Sequence, residues 1–452
     1  MRVLHVATSD GLGGAGRVAS DLMAFEREAG IDALLAVAVR RGAHPHVVAI
    51  DEPRLRNAWY RSWRALRDAS TAPGVRRIFG AVADPRAALS YARGREDFDF
   101  TSTRRLPDAF HPHLLHCHNL HGNYFDLRAL PELSERQPVV LTLHDCWLLS
   151  GHCAQPLACE RWRTGCGRCP DLKIAPAVGR DATAFNWQRK AAIFARSRLY
   201  VALPSRWIES RVADSILAPA VRETRLIPHG VDLGTFYPGD RRQARASLDL
   251  PMDGYLLLTV ANGGRENSYK DISTLERALA GLETDKPTTA VILGETAEPR
   301  MCGNVRIISI PFDDDIQRVA ACYRASDVYV HASRAEVLGL SIIEALACGV
   351  PVVATAVGGV PEVVRSMRAG VTSDTDEEPT GCLVTPGDAA DLRMTLAALL
   401  PDIARRTTLG AAAARDARAR FDVRLQARRY IEWYEEILAR DVTPAIAAPS
   451  RG

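Results

Sequence analysis

SRAEVLGLSIIEALACGVPVVATAVGGVPEVV, residues 333–364, is the stretch whose reading decides the fold. The apolar run DVYVHAS before it is expected as a buried strand ending at Ser333, and PVVAT within it as a second strand. Between them IIEALA has helical periodicity, and Gly349-Val350-Pro351 stops the helix. Glu336 then falls in a strand-to-helix loop. Gly339 and Leu340 open the helix, and Glu344, eight positions after Glu336, sits little more than one turn inside it. A helix start offers backbone N–H groups and a positive dipole end, which suits a phosphate. A carboxylate one turn further in can accept hydrogen bonds from hydroxyls such as those of a ribose. One loop and helix can thus hold a diphosphate and a sugar ring together. Taken bare, two glutamates at this spacing read as solvated carboxylates; the flanking strands and the Gly-Leu helix start reverse that reading.

Outward from this stretch, strands alternate with helices, which points to parallel sheets and an α/β class. VLHVA, ALLAVAV, HLLHCH and VVLTLH are expected strands, and YVALPS at 200–205 is expected to close the first sheet. The segment 222–240, RETRLIPHGVDLGTFYPGD, reads as the inter-domain connection from its Pro and Gly punctuation. YLLLTVA, TAVILG, VRIISI, DVYVHAS and PVVAT form a second series. Two doubly wound, Rossmann-like domains facing a cleft are expected. A length of 452 residues suits two or three domains. A net charge of +3 argues against a nucleic-acid partner. No apolar run reaches the roughly eighteen residues that span a bilayer. The start MRVLHVATSDGLGG carries no signal-peptide pattern, so a cytoplasmic location with reduced cysteines is expected.

Glu336 and Glu344 followed by ACGVPVVATAVGG at 347–359 resemble the donor-site signature of family-four retaining glycosyltransferases, which have the GT-B fold. IPHGVDLGTFYP at 227–238 resembles that family's linker motif, with His229 where Asn is usual, and GCLVTPGDAADL at 381–392 resembles its G-x-L-V-x-P-G-D. Val337-Leu338 departs from the commoner Gly-Phe and bears on the sugar pocket. The resemblance implies an N-terminal acceptor-side domain over 1–221, a C-terminal nucleotide-sugar-binding domain over 222–417 and a crossover helix over 418–440 that returns to the first domain. Residues 441–452 are Pro/Ala-rich and expected to be a disordered tail. The implied reaction moves a sugar, with retention, from a nucleotide-sugar donor to a hydroxyl of a sugar or lipid-linked sugar acceptor in polysaccharide or glycoconjugate biosynthesis, at the inner face of the membrane with peripheral contact to it. Other chemistry on the same fold, such as nucleotide-sugar epimerisation, and a catalytically silent nucleotide-sugar-binding subunit are the alternatives.

Site residues follow from the same match. Glu336 and His144 are the expected catalytic pair; His144 and Asp145 follow the strand VVLTL at its C-terminal end, where sheets present site residues. His116 and His118, at the end of HLLHCH, and His121 just after it either line the cleft, bind acceptor or, as H-x-H, hold a metal. In VANGGRENSYKD, Arg265 and Lys270 are expected on the donor diphosphate, joining Gly339, Leu340 and Glu344; the alternative is a solvated loop. Gly11, Gly13 and Gly16 spell G-x-G-x-x-G, a dinucleotide fingerprint, but the second strand runs into Arg40-Arg41 instead of an acidic residue. Gly13 and Gly14 are therefore expected to let backbone approach the donor phosphates or the acceptor.

Two segments stand apart. Cys153, Cys159, Cys166 and Cys169 are spaced C-x5-C-x6-C-x2-C within 146–170, and HDCWLLSGHC…CERWRTGCGRCP resembles a subset of these transferases associated with exopolysaccharide assembly. The spacing is read as a structural zinc site, or else as reduced or disulfide-paired thiols; no catalytic metal is expected. Residues 51–105 hold twelve Arg and no Lys, with Leu, Trp and Tyr at helical spacing. They are either a basic, aromatic face for an anionic or lipid-linked acceptor or a core-packing helix with a solvated Arg face.

Overall fold

The computed structural model describes residues 1–11, 13–50, 58–96, 101–264, 267–367 and 378–441. The first sheet is built from β1 (Arg2–Ser9), β2 (Asp32–Val39), β3 (Val47–Ala49), β4 (Leu114–Cys117), β5 (Val139–Thr142), β6 (Leu199–Leu203) and β7 (Val221–Leu226). Its order is β3-β2-β1-β4-β5-β6-β7, and its pairs are parallel. Successive apolar residues such as Val3, Leu4, Val6 and Ala7 are all buried, because a parallel sheet is covered on both faces.

The second sheet contains β8 (Tyr255–Val260), β9 (Thr288–Leu293), β10 (Arg300–Cys302), β11 (Val305–Ile310), β12 (Val328–His331), β13 (Val352–Thr355) and β14 (Gly381–Val384). Its order is β10-β11-β9-β8-β12-β13-β14, with β10 antiparallel to β11 and the other pairs parallel. Leu256 and Leu258 enter one core and Leu257 the other, as the two-residue period of a strand requires. Three helices bear on the site: α1 (Gly13–Glu28), α2 (Leu340–Ala347) and α3 (Val423–Asp441).

The chain divides into two compact units, Met1–Leu203 with Glu209–Ile227 and Ala427–Gly452, and Pro204–Ile208 with Pro228–Gln426. The first extends through Ile227 instead of ending at 221, because Val221–Leu226 pairs with β6 as an edge strand; YVALPS therefore does not close the sheet. The return to the first unit falls inside α3, after the separate helix Ile403–Arg420. Tyr430, Trp433, Tyr434 and Ile437, at helical spacing along α3, pack with Val3, Leu114, Val140 and Tyr200. Of the tail expected to be disordered, Asp441 is the last residue of α3, and residues 442–452 lie outside the described residues.

The Arg-rich insertion folds, where described, into helices Ala58–Ala69, Pro73–Ala83 and Pro85–Ala92. The core-packing reading of the first of these does not hold: none of its residues is buried, and Trp59 is 56% exposed. Trp63 instead meets the rings of Trp59 and Phe79 at 5.6 Å, so the aromatic stripe joins one helix of the insertion to the next. Among the described residues no helix is long and apolar enough to cross a membrane.

Candidate active site

Glu336 lies in the loop between β12 and α2, as its sequence context requires. Two backbone features hold that loop. Gly339 takes φ 96° as it turns the chain into α2, a conformation open to glycine at little cost. After β13 the chain passes beneath the loop at Gly358-Gly359, where a Cβ would overlap the carbonyls of Glu336 and Val337. Gly359 N–H donates to the Glu336 carbonyl at 3.2 Å, and Ser205 Oγ donates to the Val337 carbonyl at 2.7 Å. No side chain caps the start of α2 at Gly339 and Leu340, which leaves the dipole end available to an anion.

Lys270 and Glu336, 66 positions apart, are brought together by an antiparallel bridge between Lys270 and Ser333. Lys270 Nζ stands 3.4 Å from Glu336 Oε2 and donates to Ser333 Oγ at 3.3 Å. His331 Nε2 lies 2.9 Å from Ser333 Oγ and 3.5 Å from Glu336 Oε2, and its Nδ1 is 3.2 Å from the Tyr329 hydroxyl. Burial works to raise the Glu336 carboxyl, but the Lys270 charge and the His331 hydrogen bond prevail and hold it at about 2. Burial pushes His331 down to about 4, with the Lys270 charge acting in the same direction. His229 is likewise pushed to about 4 by burial, against the attraction of Glu336. At neutral pH the pocket therefore holds one carboxylate, one ammonium and two neutral imidazoles. An ammonium beside a helix start suits a diphosphate, and an ionised carboxylate suits a centre that gains positive charge.

Glu344 lies in the second turn of α2 and is buried, with Oε2 accepting from the Tyr323 hydroxyl at 2.6 Å. Arg265 lies outside the described residues. His331, Ser333, Tyr323 and Tyr329 were not singled out from sequence. Alternation along DVYVHAS is the signal that puts Tyr329, His331 and Ser333 on one side of their strand.

In the first unit, Gly13 opens α1 with φ 69°, and Gly13 and Gly14 are both exposed. His144 follows β5 and is partly exposed; its Nε2 is 3.0 Å from His118 Nδ1. His121 is not part of that contact. Its Nε2 pairs with Asp145 Oδ2 at 2.9 Å; burial opposes its protonation, but Asp145 outweighs burial and raises its pKa. Asp145 also accepts from Trp147 N–H at 2.8 Å. The loop after it is clamped by buried Lys190, which donates to the carbonyls of Trp147 at 2.9 Å and Ser150 at 3.1 Å.

His5, His116 and His118 are the described residues whose three ligating atoms close to within 4.8 Å; the cysteines do not form such a set. Both nitrogens of each of these imidazoles already have hydrogen-bond partners, so the H-x-H pair is not available to a metal without breaking them. The cysteines nevertheless gather near one another. Cys166, at φ 54°, turns the C-x2-C knuckle, and Cys169 Sγ is 3.3 Å from His152 Nε2. Burial is the largest influence raising the thiols of Cys153, to about 12, Cys166 and Cys169, with the neighbouring cysteines adding to it.

Residues 240–416 match the family of glycosyl transferases group 1. That segment contains Lys270, Glu336, the start of α2 and Glu344. The D-inositol 3-phosphate glycosyltransferase of Kineococcus radiotolerans is 37% identical over 211 residues, covering 42% of this chain and 47% of that protein. The putative colanic acid biosynthesis glycosyl transferase WcaC of Escherichia coli is 28% identical over 280 residues, 59% of this chain and 65% of that one. The chain thus spans about half to just under two thirds of the length of these curated relatives. Among solved structures, sucrose-phosphate synthase from Thermosynechococcus elongatus superposes with a TM-score of 0.65 at 20% identity, covering 97% of this chain and all of that one. Anabaena Alr3699/HepE in complex with UDP and glucose gives 0.59 at 18% identity, with 96% and 99% covered. Likeness of this degree concerns the fold: two α/β units with parallel sheets, as in GT-B enzymes.

Proposed function

We propose that the chain belongs as a whole to the group 1 glycosyltransferases and is a retaining, nucleotide-sugar-dependent transferase of polysaccharide or glycoconjugate biosynthesis. The observation that carries this reading is the Lys270–Glu336 pair, 3.4 Å apart beside the uncapped start of α2, within the segment that matches the family. Lys270, with Arg265, neutralises the donor diphosphate, and the N–H groups at Gly339 and Leu340 receive its oxygens. Glu344 receives a ribose hydroxyl. As the nucleoside diphosphate departs, the sugar gains oxocarbenium character; Glu336 contacts it and His144 supports that charge, both more strongly in the transition state than in the bound donor. Gly13 and Gly14 give the donor phosphates or the acceptor close access to backbone. Stabilising the leaving group with an ammonium and a helix start requires no catalytic metal. The cysteines hold a structural zinc.

The enzyme acts in the cytoplasm, at the inner face of the membrane. Its acceptor is a sugar or a lipid-linked sugar, and the exposed Trp59, Ile78 and Tyr91 of the Arg-rich helices support a peripheral membrane contact. Proton NMR of the product's anomeric centre tests the mechanism. An α-linked nucleotide sugar should give an α-glycoside; a β-glycoside would refute retention.

A further inference from the structure

In the first unit, three segments meet around a hollow of about 490 Å³. They are Arg93 and Arg95 at the end of the Arg-rich insertion, Gly167 and Arg168 of the C-x2-C knuckle, and residues 180–185, which lead into the helix Thr183–Phe194. Two buried polar side chains hold them together. Asn186 Nδ2 donates to the Gly94 carbonyl at 3.0 Å, and Asn186 Oδ1 accepts from Glu96 N–H at 2.9 Å. Thr183 Oγ1 accepts from Gly167 N–H at 2.9 Å. Gly94, at φ 70°, passes so close to the chain at Arg180 that a Cβ there would overlap the Arg180 carbonyl. The arginines of the hollow therefore stand on a fixed frame.

Arg93, Arg95, Arg168 and Arg180 line the hollow against one carboxylate, Asp181. Both oxygens of that carboxylate are engaged: Oδ1 accepts from Thr183 N–H at 3.0 Å and Thr183 Oγ1 at 2.7 Å, and Oδ2 from Cys169 N–H at 2.8 Å. Among the described residues none of the four arginines forms an ion pair. The next hollow along the same helix shares Phe185, but its Arg104 and Arg128 are paired with Glu132 and Asp126. Like charges gathered without partner carboxylates repel one another, and a multiply charged anion relieves them. The Arg95 guanidinium lies over the Phe185 ring, 4.3 Å from its centroid. Stacking uses the face of a guanidinium and leaves its N–H fork in plane, the geometry that receives phosphate oxygens in pairs. The positive end of the helix Thr183–Phe194 adds to that field. The volume falls within the range of about 300–1,000 Å³ that ligand sites occupy.

We propose that this hollow is a binding site for the diphosphate group of an ester, held by Arg93, Arg95, Arg168 and Arg180. β5 and β6 are parallel neighbours, and the helix Thr183–Phe194 leads into β6, so its start lies toward the carboxyl edge of the sheet, where His144 follows β5. The identity of the ester rests on the proposed reading of the chain as a glycosyltransferase with its acceptor on the first unit. The ligand is then the acceptor itself, a sugar joined to a diphosphate, and the guanidiniums select such an anionic acceptor over a neutral sugar.

Titration calorimetry of inorganic diphosphate into the full chain tests this, in the Lys270→Met background so that the donor pocket contributes little. Adding Arg95→Gln and Arg180→Gln together should weaken binding roughly ten- to a hundredfold, and binding should fall as salt rises. Both arginines are exposed, so the variant keeps its fold. Flotation with phosphatidylcholine vesicles, with and without phosphatidic acid, separates the sources of the phosphate. Recruitment by phosphatidic acid that the same two substitutions abolish assigns the site to a lipid-borne ester; diphosphate binding without recruitment assigns it to a soluble one. Diphosphate affinity unchanged by the two substitutions, or lowered equally by Arg104→Gln, overturns the proposal. Diphosphate bound through these arginines by a protein whose Lys270 form binds no nucleotide sugar would keep the site and remove the reading as a transferase instead.

Discussion

Replacing Glu336 by Gln removes a charge while keeping the side chain's shape, and the structure sets the size of the effect. The carboxyl is held at about 2 against an ordinary 4.5. That gap of about 2.5 units corresponds to about 3.4 kcal/mol, at about 1.4 kcal/mol per unit. The side chain is 24% exposed, so solvent screening reduces the expectation to about 2–3 kcal/mol. The attraction of an ammonium 3.4 Å away is about 5 kcal/mol at an effective dielectric of about 20, before the opposing effect of burial, and so has the right sign and scale. The pKa is depressed on folding, so the stabilisation is complete above the unfolded value of 4.5 and is lost as pH falls through the folded value of about 2. It should be half gone near pH ~3.2, midway between the two. Gln does not titrate. Glu336→Gln should therefore be less stable than wild type by about 2–3 kcal/mol at pH 7, with the difference shrinking steadily below pH ~4.5. Urea unfolding of both proteins at pH 7, 4.5 and 3.5, read by hydrogen exchange of amides around β12 and α2, measures it. A stability difference as large at pH 3.5 as at pH 7 refutes the argument, as does a variant more stable than wild type throughout.

Glu344→Ala should weaken nucleotide and nucleotide-sugar affinity alike, since both carry the ribose; calorimetry with each ligand checks this, and unchanged affinity for both removes Glu344 from that role. Gly358→Ala places a Cβ against the Glu336 carbonyl, so it should shift the loop and lower turnover far more than a surface Gly→Ala such as Gly179→Ala, compared by melting temperature and initial rate. Protein purified without chelator should carry about one zinc, bound with release of protons from thiols that burial keeps protonated; elemental analysis beside thiol titration checks it, and four titratable thiols with no metal would refute it.

The second unit was largely legible from sequence because local rules and global packing agree there. The strand DVYVHAS, the helix from Gly339 and the strand PVVAT all form as their periodicity and punctuation direct. Edge strands were harder to read. Val221–Leu226 alternates exposed and partly buried residues and carries two Arg and a Glu, so its sequence resembles a connection; only pairing with β6 makes it a strand. Composition alone likewise left the Arg-rich insertion undecided, because an aromatic stripe looks the same whether it enters a core or joins two surface helices. The partners of Glu336 were half visible: Lys270 carries a motif, although only its bridge to Ser333 shows how it reaches the carboxylate, whereas His331, five positions before Glu336 and in direct contact with it, stands in no motif. The partners of the buried histidines were least legible. His5 meets Glu26 and His116 meets Tyr434. Glu26 and Tyr434 come from the first helix and the last helix, and no local pattern links residues so far apart in the chain.

Titration calorimetry of UDP-, GDP-, ADP- and TDP-sugars into wild type and Lys270→Met tests the central claim most directly. At least one nucleotide sugar should bind wild type, and loss of the charge-assisted contact of about 1.5–3 kcal/mol should weaken it roughly ten- to a hundredfold in the variant. Absence of binding by every nucleotide sugar at millimolar concentration, or equal affinity in Lys270→Met, would contradict it.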